Sequence, residues 1–277
     1  MHMKKIIWGA SVALFTVAAS AETVETGGRD FTSRITRKNL DGFCYHNLDD
    51  VKRPIRGIVI DHHGLGCAAG AKMVEYSGPL SSESEKGIVW IHPHYSPWAW
   101  MNAYAVKLCD TLIDRVIESE KLPADIPICS AGGSMGGQGA YVFAAYSRHD
   151  IRRVVTNCGV ADLVYHFTER PDLPRTLTAA FGYAEDFDAE LEARSPLALA
   201  RAGKMPDVPY VIIHSTKDLA VNHERHSVPM VAALKERGRK VEFRLSEGTG
   251  HGQLKPELRK RYFEAINETF DRRKSFD

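Results

Sequence analysis

Six short apolar runs punctuate the chain: Ile55–Asp61, Gly87–His92, Ile126–Ala131, Arg152–Cys158, Pro209–Ser215 and Lys240–Ser246. Each has the length of a strand, and the runs are continuous rather than alternating, which predicts strands buried on both faces. Between them, apolar positions recur at helical spacing. Ala105, Val106, Cys109, Leu112, Ile113, Val116 and Ile117 mark one helix, and Ala140–Ala145 lies in another. Leu254, Leu258, Tyr262, Ile266 and Phe270 repeat every fourth residue and predict a last helix with one buried stripe. Strands that alternate with helices predict an α/β fold, a mainly parallel sheet with helices on both faces. In such sheets ligands bind beyond the carboxyl ends of the strands, so chemistry is expected just after each run.

The rhythm breaks between residues 159 and 205, where aromatics and prolines scatter with weak periodicity (YHFTERPDLPRTLTAAFGYAEDF). This stretch is expected to be an insertion at the sheet's edge. A cap over a binding cleft and a surface excursion both stay open.

The start of the chain reads differently. Lys4 and Lys5 precede the uncharged stretch Ile6–Ala21, which ends Ala19-Ser20-Ala21. A basic start, an apolar centre and small residues at the end predict a signal peptide over residues 1–21. The stretch is shorter than the roughly 20 residues needed to span a bilayer. Residues 22–277 are then expected to form one exported domain, periplasmic or secreted, off the membrane after cleavage. Cleavage takes the formal charge from +1 to about −1. That balance leaves no electrostatic footprint for nucleic acid, and 44% hydrophobic residues exclude a disordered chain. Export also bears on Cys44, Cys67, Cys109, Cys129 and Cys158, of which an odd number leaves one unpaired. Cys129 and Cys158 are both read as ending predicted strands, which would bring them close together; pairing and burial as small apolar residues are both open.

Gly132-Gly133-Ser134-Met135-Gly136 follows the third run and precedes a helical pattern. It satisfies G-x-S-x-G in the strand–turn–helix context the motif requires. A turn this sharp strains the serine backbone, and side chains two residues to either side would meet neighbouring backbone. Gly132 and Gly136 remove that conflict. Ser134 then stands at a helix N-terminus, where N–H groups face developing negative charge.

A serine hydroxyl needs a base, and the base needs a third group to orient it. Among twelve histidines, His251 follows the last run inside Gly248-Thr249-Gly250-His251-Gly252. Asp218, just after Pro209–Ser215, is the preferred acid, because the order Ser, acid, His suits a hydrolase of this pattern; Asp162 competes. The oxyanion hole is expected from the backbone N–H of Met135 and of Leu65 in His62-His63-Gly64-Leu65-Gly66, with Gly64 close behind Leu65.

With Gly132–Gly136, His63-Gly64-Leu65, Asp218 and Gly250-His251-Gly252 in this order, the chain resembles the α/β-hydrolase superfamily. Its strand–Asp and Gly-His-Gly segments look like the prolyl oligopeptidase and dienelactone hydrolase branch. The resemblance spans nearly all of residues 22–277 and implies nucleophile, acid and base at Ser134, Asp218 and His251. It departs from the branch in three ways. Residues 22–54 are too few for the β-propeller of prolyl oligopeptidases. Their oxyanion loop commonly offers a tyrosine where this chain has His62-His63-Gly64. Dienelactone hydrolases use cysteine where this chain has serine.

His62, His63, His92 and His94 follow two runs near Asp61, yet they lack the spacing of a binuclear metal hydrolase, and neither metal nor organic cofactor is expected. Trp98 and Trp100, with His63, are candidate substrate-binding residues; packing beneath the insertion is the other reading of the tryptophans. Arg170 and Arg175 are candidates for a substrate carboxylate or for surface ion pairs. The expected function is an exported serine hydrolase of acyl bonds, a carboxylic ester hydrolase by preference. Its substrate would be a small molecule or short peptide; the oligomeric state is left open. A prolyl oligopeptidase-type peptidase and a non-catalytic hydrolase-fold binding protein are the alternatives.

Overall fold

The six apolar runs become six parallel strands of one seven-stranded sheet. The computed structural model describes residues 31–66 and 82–271; the expected signal peptide and Cys67 lie outside the described residues. The strands are β1 (Cys44–His46), β2 (Gly57–His62), β3 (Ile88–Pro93), β4 (Ile128–Gly133), β5 (Ile151–Asn157), β6 (Tyr210–Ser215) and β7 (Val241–Ser246), in the order β1-β3-β2-β4-β5-β6-β7. Only β1, a three-residue strand at the edge, runs antiparallel.

Both faces of the sheet are dry, as continuous apolar runs require. The pleat sends Ile58 and Ile60 into one core and Val59 into the other, and Tyr210 and Ile212 oppose Val211 and Ile213 in the same way. The larger core is covered by α1 (Ala103–Glu120), α2 (Met135–Tyr146) and α7 (Ser227–Glu236). On the opposite face lies α8 (Pro256–Asn267), continued by a 3-10 turn through Phe270. The predicted stripe packs there: Leu254, Leu258, Tyr262, Ile266 and Phe270 all belong to the second core or lie against it. No helix among the described residues is long and apolar enough to cross a membrane.

The 159–205 insertion folds as four short helices between β5 and β6: α3 (Leu163–Glu169), α4 (Leu173–Phe181), α5 (Phe187–Ala193) and α6 (Pro196–Arg201). The chain steps outward from β2 to β3, then returns to place β4 on the other side of β2. That reversal opens a crevice at the carboxyl ends of β2 and β4. The expected nucleophile turn and oxyanion loop leave the sheet on either side of it.

The thiols are corrected by the same parallel order. Cys44, Cys109, Cys129 and Cys158 are all free and buried. Cys129 pairs with Arg153 near the start of β4 and β5, whereas Cys158 lies one residue beyond the end of β5. Parallel neighbours keep start and end apart, so the two sulfurs do not meet. Burial pushes the Cys129 thiol up to about 12 and the Cys158 thiol up to about 11, which leaves both protonated.

Candidate active site

Ser134 sits between the end of β4 and the start of α2 with φ 57° and ψ −125°. A non-glycine residue at positive φ is strained by order 1–3 kcal/mol, and surrounding bonds must hold it. Its N–H donates to Asn157 O at 3.0 Å, and its carbonyl accepts from Gly137 N, Gln138 N and Val160 N at 3.0, 3.2 and 3.2 Å. The flanking glycines answer to measurable crowding. A Cβ on Gly136 would lie 1.9 Å from His62 O, and one on Gly132 would lie 2.4 Å from Gly136 O. The turn therefore presses against the end of β2. Met135 is the first residue of α2, so its N–H is among the donors that the helix itself leaves without an acceptor.

Across the crevice, the loop after β2 is tied to the loop after β3 by Gly66 N–H donating to Pro97 O at 3.0 Å. His63 Nδ1–H donates to Gly64 O at 2.9 Å, and its ring packs 4.2 Å from that of Tyr95, centroid to centroid. Burial, the largest influence, lowers its pKa to about 4 and keeps the ring neutral. Leu65 is half-buried and packs against the larger core.

Asp218 follows β6 with its carboxylate wholly buried. Oδ2 accepts His251 Nδ1–H at 2.7 Å, and Oδ1 accepts Ala220 N–H and Val221 N–H at 2.9 Å each. A second histidine stands behind it. His214 Nε2 lies 3.3 Å from Asp218 Oδ2 and donates to Val221 O at 2.9 Å, while its Nδ1 accepts from Ser227 Oγ. Burial alone raises the Asp218 pKa, but the bonds from His214, His251 and Val221 N–H outweigh it and hold the carboxyl well below the usual range. The side chain of His251 is about one-third exposed. With Nδ1 engaged by the carboxylate, proton exchange falls to Nε2.

Strand ends fix the histidine loop. Gly252 N–H points to Cys158 Sγ at 3.4 Å, Asn157 Nδ2 donates to Gly252 O at 3.2 Å, and Ser215 Oγ donates to Gln253 O at 2.8 Å. The competing carboxylate is used elsewhere: Asp162 Oδ1 caps α3 by accepting Tyr165 N–H at 3.0 Å. Trp100 is buried, with Nε1–H donating to Thr176 Oγ1 at 3.1 Å, so it packs beneath the insertion. Trp98 is half-buried under the Arg175 guanidinium, 5.6 Å from its ring. Arg170 is forked onto Asp172 at 3.0 and 2.6 Å, an ion-paired arrangement.

Two groups of metal-type ligands occur among the described residues: Cys158 with His214 and Asp218, and His166 with Glu169 and His226. Hydrogen bonding already commits both. His226 Nδ1 accepts Ala161 N–H and Asp162 N–H at 3.1 Å each, so its proton is on Nε2, donated to Glu169 at 2.9 Å. His166 Nδ1–H donates to the same carboxylate at 2.6 Å. Glu169 Oε1 then accepts Asn222 N–H, which braces the insertion against the loop that carries Asp218.

The sequence pattern of the prolyl oligopeptidase family matches residues 114–273, a span that holds Ser134, Asp218 and His251. The chain belongs to the prolyl oligopeptidase family. Solved structures with the same fold include a puromycin-hydrolyzing peptidase of Mycobacterium tuberculosis, at 18% identity and TM-score 0.66, covering 82% of this chain and 35% of that one. An acylaminoacyl peptidase of Pyrococcus horikoshii shares 16% identity at TM-score 0.64, with 82% and 39% covered. Esterase B of Lactobacillus rhamnosis shares 14% identity at TM-score 0.61, with 79% and 76% covered. This family member thus spans little more than a third of the two peptidases but most of the esterase. No curated protein matches the sequence. These likenesses agree with the α/β-hydrolase sheet already described. His214, Asn157, Glu169 and His226 stand around the candidate site, and pattern reading alone does not single them out; only His214 carried a signal, as a polar residue four positions before Asp218 in an apolar run.

Proposed function

We infer that the protein is an exported serine hydrolase of acyl bonds and that carboxylic esters are its preferred substrates. The observation that carries the reading is the 2.7 Å bond from His251 to buried Asp218, together with Ser134 held at strained φ on the nucleophile turn. Ser134 Oγ attacks the acyl carbon as His251 Nε2 takes its proton. The developing oxyanion is held by the N–H groups of Met135 and Leu65. His251 then returns the proton to the leaving alcohol, and water repeats the sequence on the acyl-enzyme to release the acid and free Ser134. Asp218 fixes the Nδ1–H tautomer and stabilises the imidazolium that forms at each step. No step calls for a metal or organic cofactor.

Ester preference is supported by the esterase, which this chain matches across most of both lengths. The family and the puromycin-hydrolyzing and acylaminoacyl peptidases favour peptide substrates as the second reading. Export is inferred from the basic and apolar start, Lys4 to Ala21. A fluorophosphonate probe is expected to label the wild-type protein and not Ser134→Ala, whose turnover should fall by about 10³-fold or more. Label persisting on another residue defeats the assignment, and a wild-type protein that takes no label at all is a binding protein. Relative kcat/KM on p-nitrophenyl esters and aminoacyl-proline anilides decides between ester and peptide.

A further inference from the structure

We propose that Asn157, the last residue of β5, is a positioning residue that locks the histidine loop to the nucleophile turn; this rests on the assignment of Ser134 and His251 above. Its main-chain oxygen accepts the Ser134 N–H at 3.0 Å, and its side-chain Nδ2 donates to Gly252 O at 3.2 Å. The next residue completes the grip, since Cys158 Sγ receives the Gly252 N–H at 3.4 Å. Both polar backbone atoms of the residue after His251 are therefore held from the end of β5. Gly252 O can only accept, so the Asn157 amide must present its NH₂ to it.

Two further features fit a positioning role. Asn157 Oδ1 is buried and has no hydrogen-bond partner among the described residues. An unpaired buried acceptor is destabilising, a cost that an aliphatic side chain would avoid. The single bond that the side chain does make joins the two halves of the proposed chemistry. Cys158 is the second feature: its φ of 48° turns the chain immediately after the grip, the kind of strained backbone that collects at functional turns. The need for a grip comes from the loop itself. Gly250 and Gly252 flank His251 and bring no side chains to brace it. An imidazole displaced by about 1 Å costs on the order of 100-fold in rate, so a bond that holds this loop has kinetic weight.

The test compares the wild-type protein with Asn157→Ala and Asn157→Asp in p-nitrophenyl ester hydrolysis and in fluorophosphonate labelling. Asn157→Ala is expected to lower kcat and the labelling rate by about 10- to 100-fold with little change in KM. Asn157→Asp keeps the shape but repels Gly252 O and adds a negative charge near His251. It should move the acid limb of kcat/KM to higher pH, because a nearby anion favours imidazolium. Circular dichroism and denaturant midpoints establish that each variant is folded. Wild-type kcat and labelling in Asn157→Ala overturns the proposal, as does loss of the fold in both variants, which assigns the residue to stability. Wild-type protein that neither labels nor hydrolyses instead removes the serine-hydrolase reading, so the two failures are told apart.

Discussion

Asp218 accepts three donors of its own, the N–H groups of Ala220 and Val221 and His251 Nδ1–H, while His214 Nε2, which donates to Val221 O, stands 3.3 Å from Oδ2. The two backbone donors come from the turn that the residue itself begins, so the carboxylate is oriented before any imidazole reaches it. His214 is anchored independently by Ser227 and Val221 O, which makes it a support for the acid rather than a rival base. The two residues should therefore separate in a kinetic experiment. Asp218→Asn keeps the shape but favours the wrong imidazole tautomer, and kcat should fall by about 10⁴-fold. His214→Leu leaves Asp218 its three donors but unpairs Val221 O and Ser227. It should cost about 1–3 kcal/mol of stability and far less in kcat. Equal kcat losses in the two variants would place His214 on the proton path. At this scale the sequence exposed Ser134 through its glycines, and His251 and Asp218 through their places after strands. It hid Asn157 and showed of His214 only its polarity within an apolar run, because a polar residue in or at the end of an apolar strand gives no sign of what lies across the sheet. Trp100 misled for a related reason: an aromatic after a strand end suits a cleft wall and a buried packing group equally.

Among the elements, the Gly132–Gly136 turn is a crowded junction, since β4, α2 and the end of β2 meet there with no room for a methyl group at Gly136. Gly136→Ala must displace either α2 or the β2 backbone, because the obstructing atom is a carbonyl oxygen and not a mobile side chain. The expected outcome is a loss of at least about 2 kcal/mol in denaturant unfolding, with probe labelling reduced in the protein that remains folded. Unchanged stability would mean that the turn is looser than its geometry. The same junction explains what was legible. A turn this constrained needs particular residues, whereas β1 needs almost none: three residues at a sheet edge are too few for an alternating pattern to register. The helices of the insertion run only six to nine residues, under three turns, so no apolar stripe could repeat often enough to announce them. Their positions are set instead by tertiary bonds such as Trp100 to Thr176 and Glu169 to Asn222. Those are long-range contacts that periodicity does not encode.

Across the whole molecule, the strand order gathers the candidate site from segments far apart in sequence, and it also buries several histidines in neutral form. His62, His63 and His166 all have pKa values lowered chiefly by burial, with neighbouring imidazoles adding to the effect at His62. Around His63 stand Asp61, His92 and Tyr95; the bonds of its ring to Gly64 and the charge of Asp61 oppose the shift without cancelling it. The sign of the linkage follows. Between the ordinary imidazole pKa and the folded value, the unfolded chain binds a proton that the native ring refuses, so stability drops as pH falls through that window. For His63 the window runs from the ordinary imidazole value of 6.5 to about 4, which is worth about 3 kcal/mol once fully crossed. The carboxylates act lower. Asp218 and Glu169 are held well below the usual range, so the stability they contribute is present above the ordinary carboxylate pKa and is lost only as pH falls beneath it. Between about pH 6.5 and 5 the histidines therefore dominate. Urea unfolding free energies should decline steadily across that interval, and His63→Asn should flatten part of the decline. A native state equally stable at both ends of the interval would contradict the neutral burial of these rings.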